Sequence, residues 1–160
     1  MDPSVYRQES PRLLLEQYFN GPVTAWGMFQ DRSGKVMRRF KVDLVGRWTG
    51  DTGVLEEDFS YSDGTTERRV WTIKAHGDGR YTGTAADVVG QADGRADGNA
   101  LHWRYTLALP VNDRIYHVTL DDWMYLIDER VMINRARMSK FGIHLGDVTI
   151  SFHRPAGQPQ

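Results

Sequence analysis

Cysteine is absent from the 160-residue chain, which excludes thiolate catalysis, disulfide frameworks and Cys-ligated zinc or iron-sulfur centres. A chain of this length buries about 70% of the surface its unfolded form exposes, so a core forms without such staples. Compartment stays open, because exported proteins also dispense with cysteine. An excess of one charge is lacking too. Lys plus Arg number 20 against 21 Asp plus Glu, a balance that argues against a polyphosphate-coating nucleic-acid protein. Apolar runs are only a few residues long, too short for a membrane-spanning helix. The opening Met1-Asp2-Pro3-Ser4 has no basic region followed by an apolar one, so no signal peptide is visible. A processed, an artificial and a cytoplasmic start all fit.

Familiar catalytic patterns are missing as well. There is no Gly-x-Ser-x-Gly elbow, P-loop, dinucleotide fingerprint or His-Glu-x-x-His. Asp93 to Gly98 begins like a calcium loop, but Arg95 takes the third position and Arg104 stands where a bidentate Glu belongs, so it reads as a turn. His76, His102, His117, His144 and His153 show no short ligand spacing. No metal and no cofactor is expected.

What is present is a period of two. From Val23 onward, apolar and polar residues alternate between Gly, Asp, Asn and Pro turn signals, the pattern of an antiparallel all-β domain. The turns delimit about nine strands. Before them, residues 1–11 read as a flexible polar tail, and Arg12 to Phe19 as one or two helical turns stopped by Asn20-Gly21. The expected organisation is therefore tail, one domain over 12–154, and a second tail over 155–160. Long alternating strands with aromatic faces leave adhesive edges in an open sheet, so the expected architecture is a closed or nearly closed meander barrel of 8–10 strands.

Two registers follow from turn chemistry. Asp63-Gly64 suits a two-residue type I′ hairpin, which sets Asp58 opposite Arg69. A four-residue loop at Pro110 to Asp113 sets His102 opposite Asp121 and Arg104 opposite Thr119. Both pairs are candidates for structural ion pairs. Tyr116, Val118 and Leu120 are even-numbered, whereas Trp123, Tyr125 and Ile127 are odd, so a β-bulge at Asp121-Asp122 is expected to absorb one residue.

Arginine outnumbers lysine 16 to 4, and several arginines stand beside aromatics in strands, where guanidinium stacks and pairs with carboxylates. The bland reading is a solvated sheet face. The functional reading has Arg104 or Arg135 hold an anionic head group while Trp103, Tyr105 and Tyr125 line an apolar cavity. If the aromatic face lies inside, Arg104 lies outside; the residues do not settle the choice but favour Arg104 inward, because it stands among hydrogen-bonding groups rather than in a run of solvated charge. Carboxylates in Glu56-Glu57-Asp58 and Asp121-Asp122 could also do acid-base work if one had a raised pKa.

The phrases Tyr18 to Gly21, Ala25 to Gly34, Asp121 to Glu129 and Asn134 to Gly142 resemble a bacterial lipoprotein family, the domain of unknown function 3833, over residues 12–154. The resemblance implies a lipocalin- or calycin-like barrel. It also implies genes beside fatty-acid-modifying enzymes and a periplasmic protein tethered through a lipid anchor, whose Cys this chain lacks. On that basis the expected ligand is a fatty acid or other amphipathic lipid. An enzyme on a lipid-derived substrate and a ligand-free structural envelope protein are the alternatives. Gly46-Arg47-Trp48 matches the lipocalin Gly-x-Trp in composition but stands on the second strand rather than the first.

Overall fold

Alternation becomes structure strand by strand. The computed structural model describes residues 1–156. Its ten strands are β1 Gly21–Asp31, β2 Val36–Thr49, β3 Thr52–Tyr61, β4 Thr66–Ala75, β5 Arg80–Thr84, β6 Val88–Asp97, β7 Ala100–Val111, β8 Arg114–Leu126, β9 Val131–Lys140 and β10 Ile143–His153. Each pairs antiparallel with its sequence neighbours, and β1 pairs with β10 to close the barrel. Closure leaves no free edge. One face of every strand turns inward: Val42 and Leu44 on β2, Leu101, Trp103 and Leu107 on β7, Val118 and Leu120 on β8 are all buried. Each such apolar side chain contributes about 1.5–3 kcal/mol of burial.

The two ends of the barrel differ. At one end the chain preceding β1 folds over the opening, and its single helical turn α1, Leu15–Tyr18, inserts Leu15, Tyr18 and Phe19 into the core. The helix is shorter than the sequence suggests. Polar bonds fasten this cap: Tyr18 Oη donates to Arg130 O at 2.8 Å, and Trp48 Nε1 donates to Phe19 O at 3.1 Å. The approach is close enough that a Cβ at Gly46 would overlap the Phe19 carbonyl oxygen. The other end is formed by hairpin tips, including Asn112-Asp113 and Phe141-Gly142, where Asn112, Phe141 and Gly142 take positive φ values of 56°, 52° and 77°. That conformation permits two-residue turns.

Several expectations are corrected by the observed register. The Asp63 hairpin is a three-residue loop, Ser62 to Gly64, with Gly64 alone at positive φ, 88°, and a Tyr61 N to Thr65 O bond of 2.9 Å. One residue of slip pairs Asp58 with Arg68, and Glu57 with Arg69. At β7–β8 the tight Asn112-Asp113 turn moves the register by two, so Arg104 faces Asp121, Trp103 faces Asp122 and His102 faces Trp123. No bulge occurs at Asp121-Asp122; β8 stays in one phase and Val118, Leu120, Asp122, Met124 and Leu126 all point inward. Irregularities fall instead at Phe29/Gln30, Val89/Asp93 and His144/Gly146. Trp123 and Tyr125 are consequently outside.

They are covered from an unexpected source. Residues 3–6 form a 3₁₀ turn, Pro3–Tyr6, and the Tyr6 ring packs edge-on against Trp123 and Tyr125 at 6.0 and 5.6 Å. Arg7 pairs with Asp97 at 3.0 Å. The segment expected as a loose tail thus lies along the outer wall of β6–β8. At the other terminus, Ala156 is the last described residue, and the tail expected over 155–160 lies mostly outside the described residues.

Candidate ligand cavity

The cap at one end and the open tips at the other leave a one-ended cavity of about 690 Å³, within the range of small-molecule pockets. Its walls are mostly apolar, with Phe29, Phe40, Leu55, Phe59, Ile73 and Ile150 among them. Aromatic rings reinforce one side. Trp71 stacks on Trp103 with centroids 5.3 Å apart and meets Tyr105 edge-on at 5.4 Å.

Charged side chains enter this interior from four strands and the β5–β6 turn. Arg69 of β4 holds Asp87, in the β5–β6 turn, through Nε and a terminal nitrogen at 2.7–3.1 Å, with Glu67 at 3.8 Å. Burial works against the Arg69 charge, but the Asp87 carboxylate more than restores it and holds the guanidinium pKa above its ordinary value. Near the mouth, Arg38 lies 3.6 Å over the Tyr61 ring and 3.3 Å from Asp63, and Tyr61 Oη donates to Glu67 at 2.7 Å. On β8, Asp122 accepts from Tyr105 Oη at 2.9 Å and from Asn134 Nδ2, which also donates to Trp123 O at 3.0 Å. Burial pushes the Asp122 carboxyl up to about 7, although the Tyr105 and Asn134 donors favour its charged form. The buried Trp103 Nε1 completes no hydrogen bond among the described residues.

Glu57 differs from these. It is 9% exposed, lines the cavity opposite Arg69, and accepts no hydrogen bond among the described residues. Burial raises its pKa to about 7, with the Arg69 charge pulling the other way.

The residues that the sequence nominated for one ligand site are divided by the barrel wall. Trp103 and Tyr105 line the interior. Tyr125 and Arg135 lie outside, in a shallow groove of about 260 Å³ with Asp121, Trp123 and Arg137. Arg104 is also outside and exposed. Neither Arg104 nor Arg135 forms an ion pair among the described residues. A side chain in a strand reaches only its own face, so Arg104 and Arg135 cannot meet the head of a ligand seated between Trp103 and Tyr105. The nominated ion pairs divide as well. Asp58 and Arg68 form an exposed bridge at 3.0 Å, while Arg69 serves Asp87 at 2.7 Å. His102 Nε2 hydrogen-bonds Asp121 Oδ1 on the outer face, and its ring stacks on Trp123 at 4.3 Å.

The interior polar residues left a signal in the sequence. Glu57 is in phase with Leu55 and Phe59, Arg69 with Trp71 and Ile73, Asp122 with Leu120 and Met124, and Asn134 with Met132 and Ala136. A polar residue on an apolar stripe marks a buried partner or a ligand.

Solved structures share the barrel at very low identity. An S-type phycobiliprotein lyase, CpeS, from Guillardia theta superposes with a TM-score of 0.61 at 5% identity, covering 87% of this chain and 89% of that one. A protein of unknown function from the DUF3598 family of Nostoc punctiforme gives a TM-score of 0.62 at 12% identity, over 92% of this chain; the match spans about half, 51%, of that longer chain. These likenesses establish the lipocalin-like fold and nothing of the chemistry inside it. No curated protein matches the sequence. The family assignment comes from the sequence itself, whose match extends beyond the barrel to include the 3₁₀ turn and α1: over residues 1–154 the chain belongs to the family described as "Protein of unknown function (DUF3833)".

Proposed function

We propose that the barrel is a binding protein for a small amphipathic molecule, a lipid with an acyl-type chain. The observation that carries this reading is the one-ended cavity of about 690 Å³, apolar along most of its wall and polar at a few convergent groups. The rim supports it. Ile115, Phe141 and Ile143 are 68%, 91% and 57% exposed at the adjoining β7–β8 and β9–β10 tips, so a chain leaving a membrane meets apolar surface before the cavity. A filled structural barrel fits this interior less well. Periplasmic residence on a membrane tether belongs to the same reading and rests on the family resemblance; fractionation of cells producing the full precursor checks it.

The test is native mass spectrometry of freshly purified protein, together with displacement of a fluorescent acyl probe. Wild type should carry lipid or take up the probe, and Ala136→Trp, which fills the interior from β9, should lose it at least tenfold. A folded wild type that takes up no acyl probe overturns the reading. Chemical turnover of a supplied lipid would shift it to an enzyme, with Glu57 and Asp122 the first acid-base candidates.

A further inference from the structure

Charge inside the cavity is unbalanced. Its lining holds four carboxylates, Glu57, Glu67, Asp87 and Asp122, against two guanidiniums, Arg38 and Arg69. Arg69 is held by Asp87, and Arg38 reaches Asp63 and the Tyr61 ring near the mouth, although its buried Nε has no hydrogen-bond partner among the described residues. Three of the carboxylates are occupied as well: Asp87 by Arg69, Glu67 by Tyr61, and Asp122 by Tyr105 and Asn134. Among the described residues, Glu57 is the one cavity carboxylate without a hydrogen-bond donor. A buried carboxylate that accepts nothing is costly, and water or a ligand in the cavity removes that cost. A bound metal ion is a poor candidate, since no three acidic or histidine side chains converge among the described residues.

Resting on the binding reading above, we propose that the ligand is a neutral or cationic amphiphile whose buried polar end carries a hydrogen-bond donor, a hydroxyl or an ammonium, and that Glu57 receives that donor. The same arrangement disfavours a free fatty acid in the head-inward orientation. Its carboxylate would enter a space already rich in carboxylates, where Arg69 would have to leave Asp87 to serve it. Like charges in a low-dielectric interior repel strongly. Selection at Glu57 therefore operates through the acid excess around it.

The groups facing Glu57 are Arg69 and Glu67 from β4, Asp87 from the β5–β6 turn, the Tyr105 hydroxyl from β7, and Asp122 from β8; Leu44 of β2 stands opposite and is uncharged. Because burial places Glu57 near 7, its charge, and with it the preference for an ammonium, grows as pH rises from 6 to 8.

The experiment compares an alkylamine, an alcohol and a carboxylate of equal chain length as competitors for one fluorescent acyl probe. At pH 8 the amine and the alcohol should bind at least tenfold more tightly than the carboxylate. Glu57→Gln should reduce the amine-to-carboxylate ratio about tenfold or more while leaving the alcohol nearly unchanged. Should the variant fail to fold, wild type decides: the amine-to-carboxylate ratio should fall several-fold between pH 8 and pH 6. Carboxylate binding equal to or tighter than the amine, or a ratio unmoved by both Glu57→Gln and pH, overturns the inference while acyl binding stands. Failure of all three competitors with a folded protein overturns the binding reading instead.

Discussion

Tyr105 and Asp122 join β7 to β8 inside the barrel through a 2.9 Å hydrogen bond between the phenolic hydroxyl and Oδ2. They are diagonal neighbours, because the register sets Tyr105 against Leu120 and Asp122 against Trp103. A hydrogen bond to a charged acceptor contributes about 1.5–3 kcal/mol, roughly twice a neutral one. Tyr105→Phe should therefore lower stability by about 1–3 kcal/mol at pH 8, where Asp122 is ionised, and by less at pH 5. Denaturant midpoints at the two pH values check this, and an equal loss at both would contradict it.

Glu57 should make the protein less stable as pH rises. Its folded pKa is about 7 against an ordinary 4.5, so between those values the native state holds a proton that the unfolded chain has released. Stability from this group is full below about pH 4.5, declines toward pH 7 and is flat above. Glu57→Gln removes the decline. At pH 8 the variant should exceed wild type by about 1–3 kcal/mol, with the difference vanishing near pH 4; parallel pH curves would show that the carboxylate is better solvated than its burial suggests.

Arginines on the two faces of the wall should respond differently to truncation. Arg104→Ala and Arg135→Ala alter exposed side chains without ion pairs and should change stability by less than about 0.5 kcal/mol, with acyl-probe affinity unaffected. Arg69→Ala strands Asp87 and Glu67 beside Glu57. Complete burial would make that cost about 3–5 kcal/mol, and partial exposure of the bridge brings it to roughly 2–4 kcal/mol. Urea titrations of the three variants decide the order.

The cap at the closed end depends on a glycine. Gly46→Ala puts a methyl group against the Phe19 carbonyl, an overlap with backbone that no rotamer change relieves. A loss of at least about 2 kcal/mol is expected. Trp48→Phe removes only the indole bond to the same oxygen and should cost about 1 kcal/mol. Thermal midpoints should fall by about 2–4 °C per kcal/mol for a chain of this size.

Strand identity is determined locally, and closure follows from the adhesive edges that an open sheet would leave, so both were legible. Alternation over Leu101 to Leu109 puts the same residues on one face in any register, although only the closed wall shows that the face of Trp103 is the inner one, and a Gly or Asn that accepts positive φ marks a reversal wherever it falls. Register was not legible. A two-residue and a three-residue turn both suit Asp63-Gly64, yet they differ by one residue. That residue decides whether Arg69 meets Asp58 on the outside or stands across from Glu57 within. The polar interior was hidden for a related reason. Local pattern makes a carboxylate in a strand an outward residue, and Asp122 broke the apparent phase so that a bulge looked necessary. Only the closed wall, which places Tyr105 and Asn134 around that carboxylate, makes its burial tolerable. Trp123 and Tyr125 are the converse, apolar in sequence but outside, covered by Tyr6 from well over a hundred residues away. Composition and periodicity thus determine which residues pair into strands; which charges share an interior depends on turn lengths and on partners that meet only when the barrel closes.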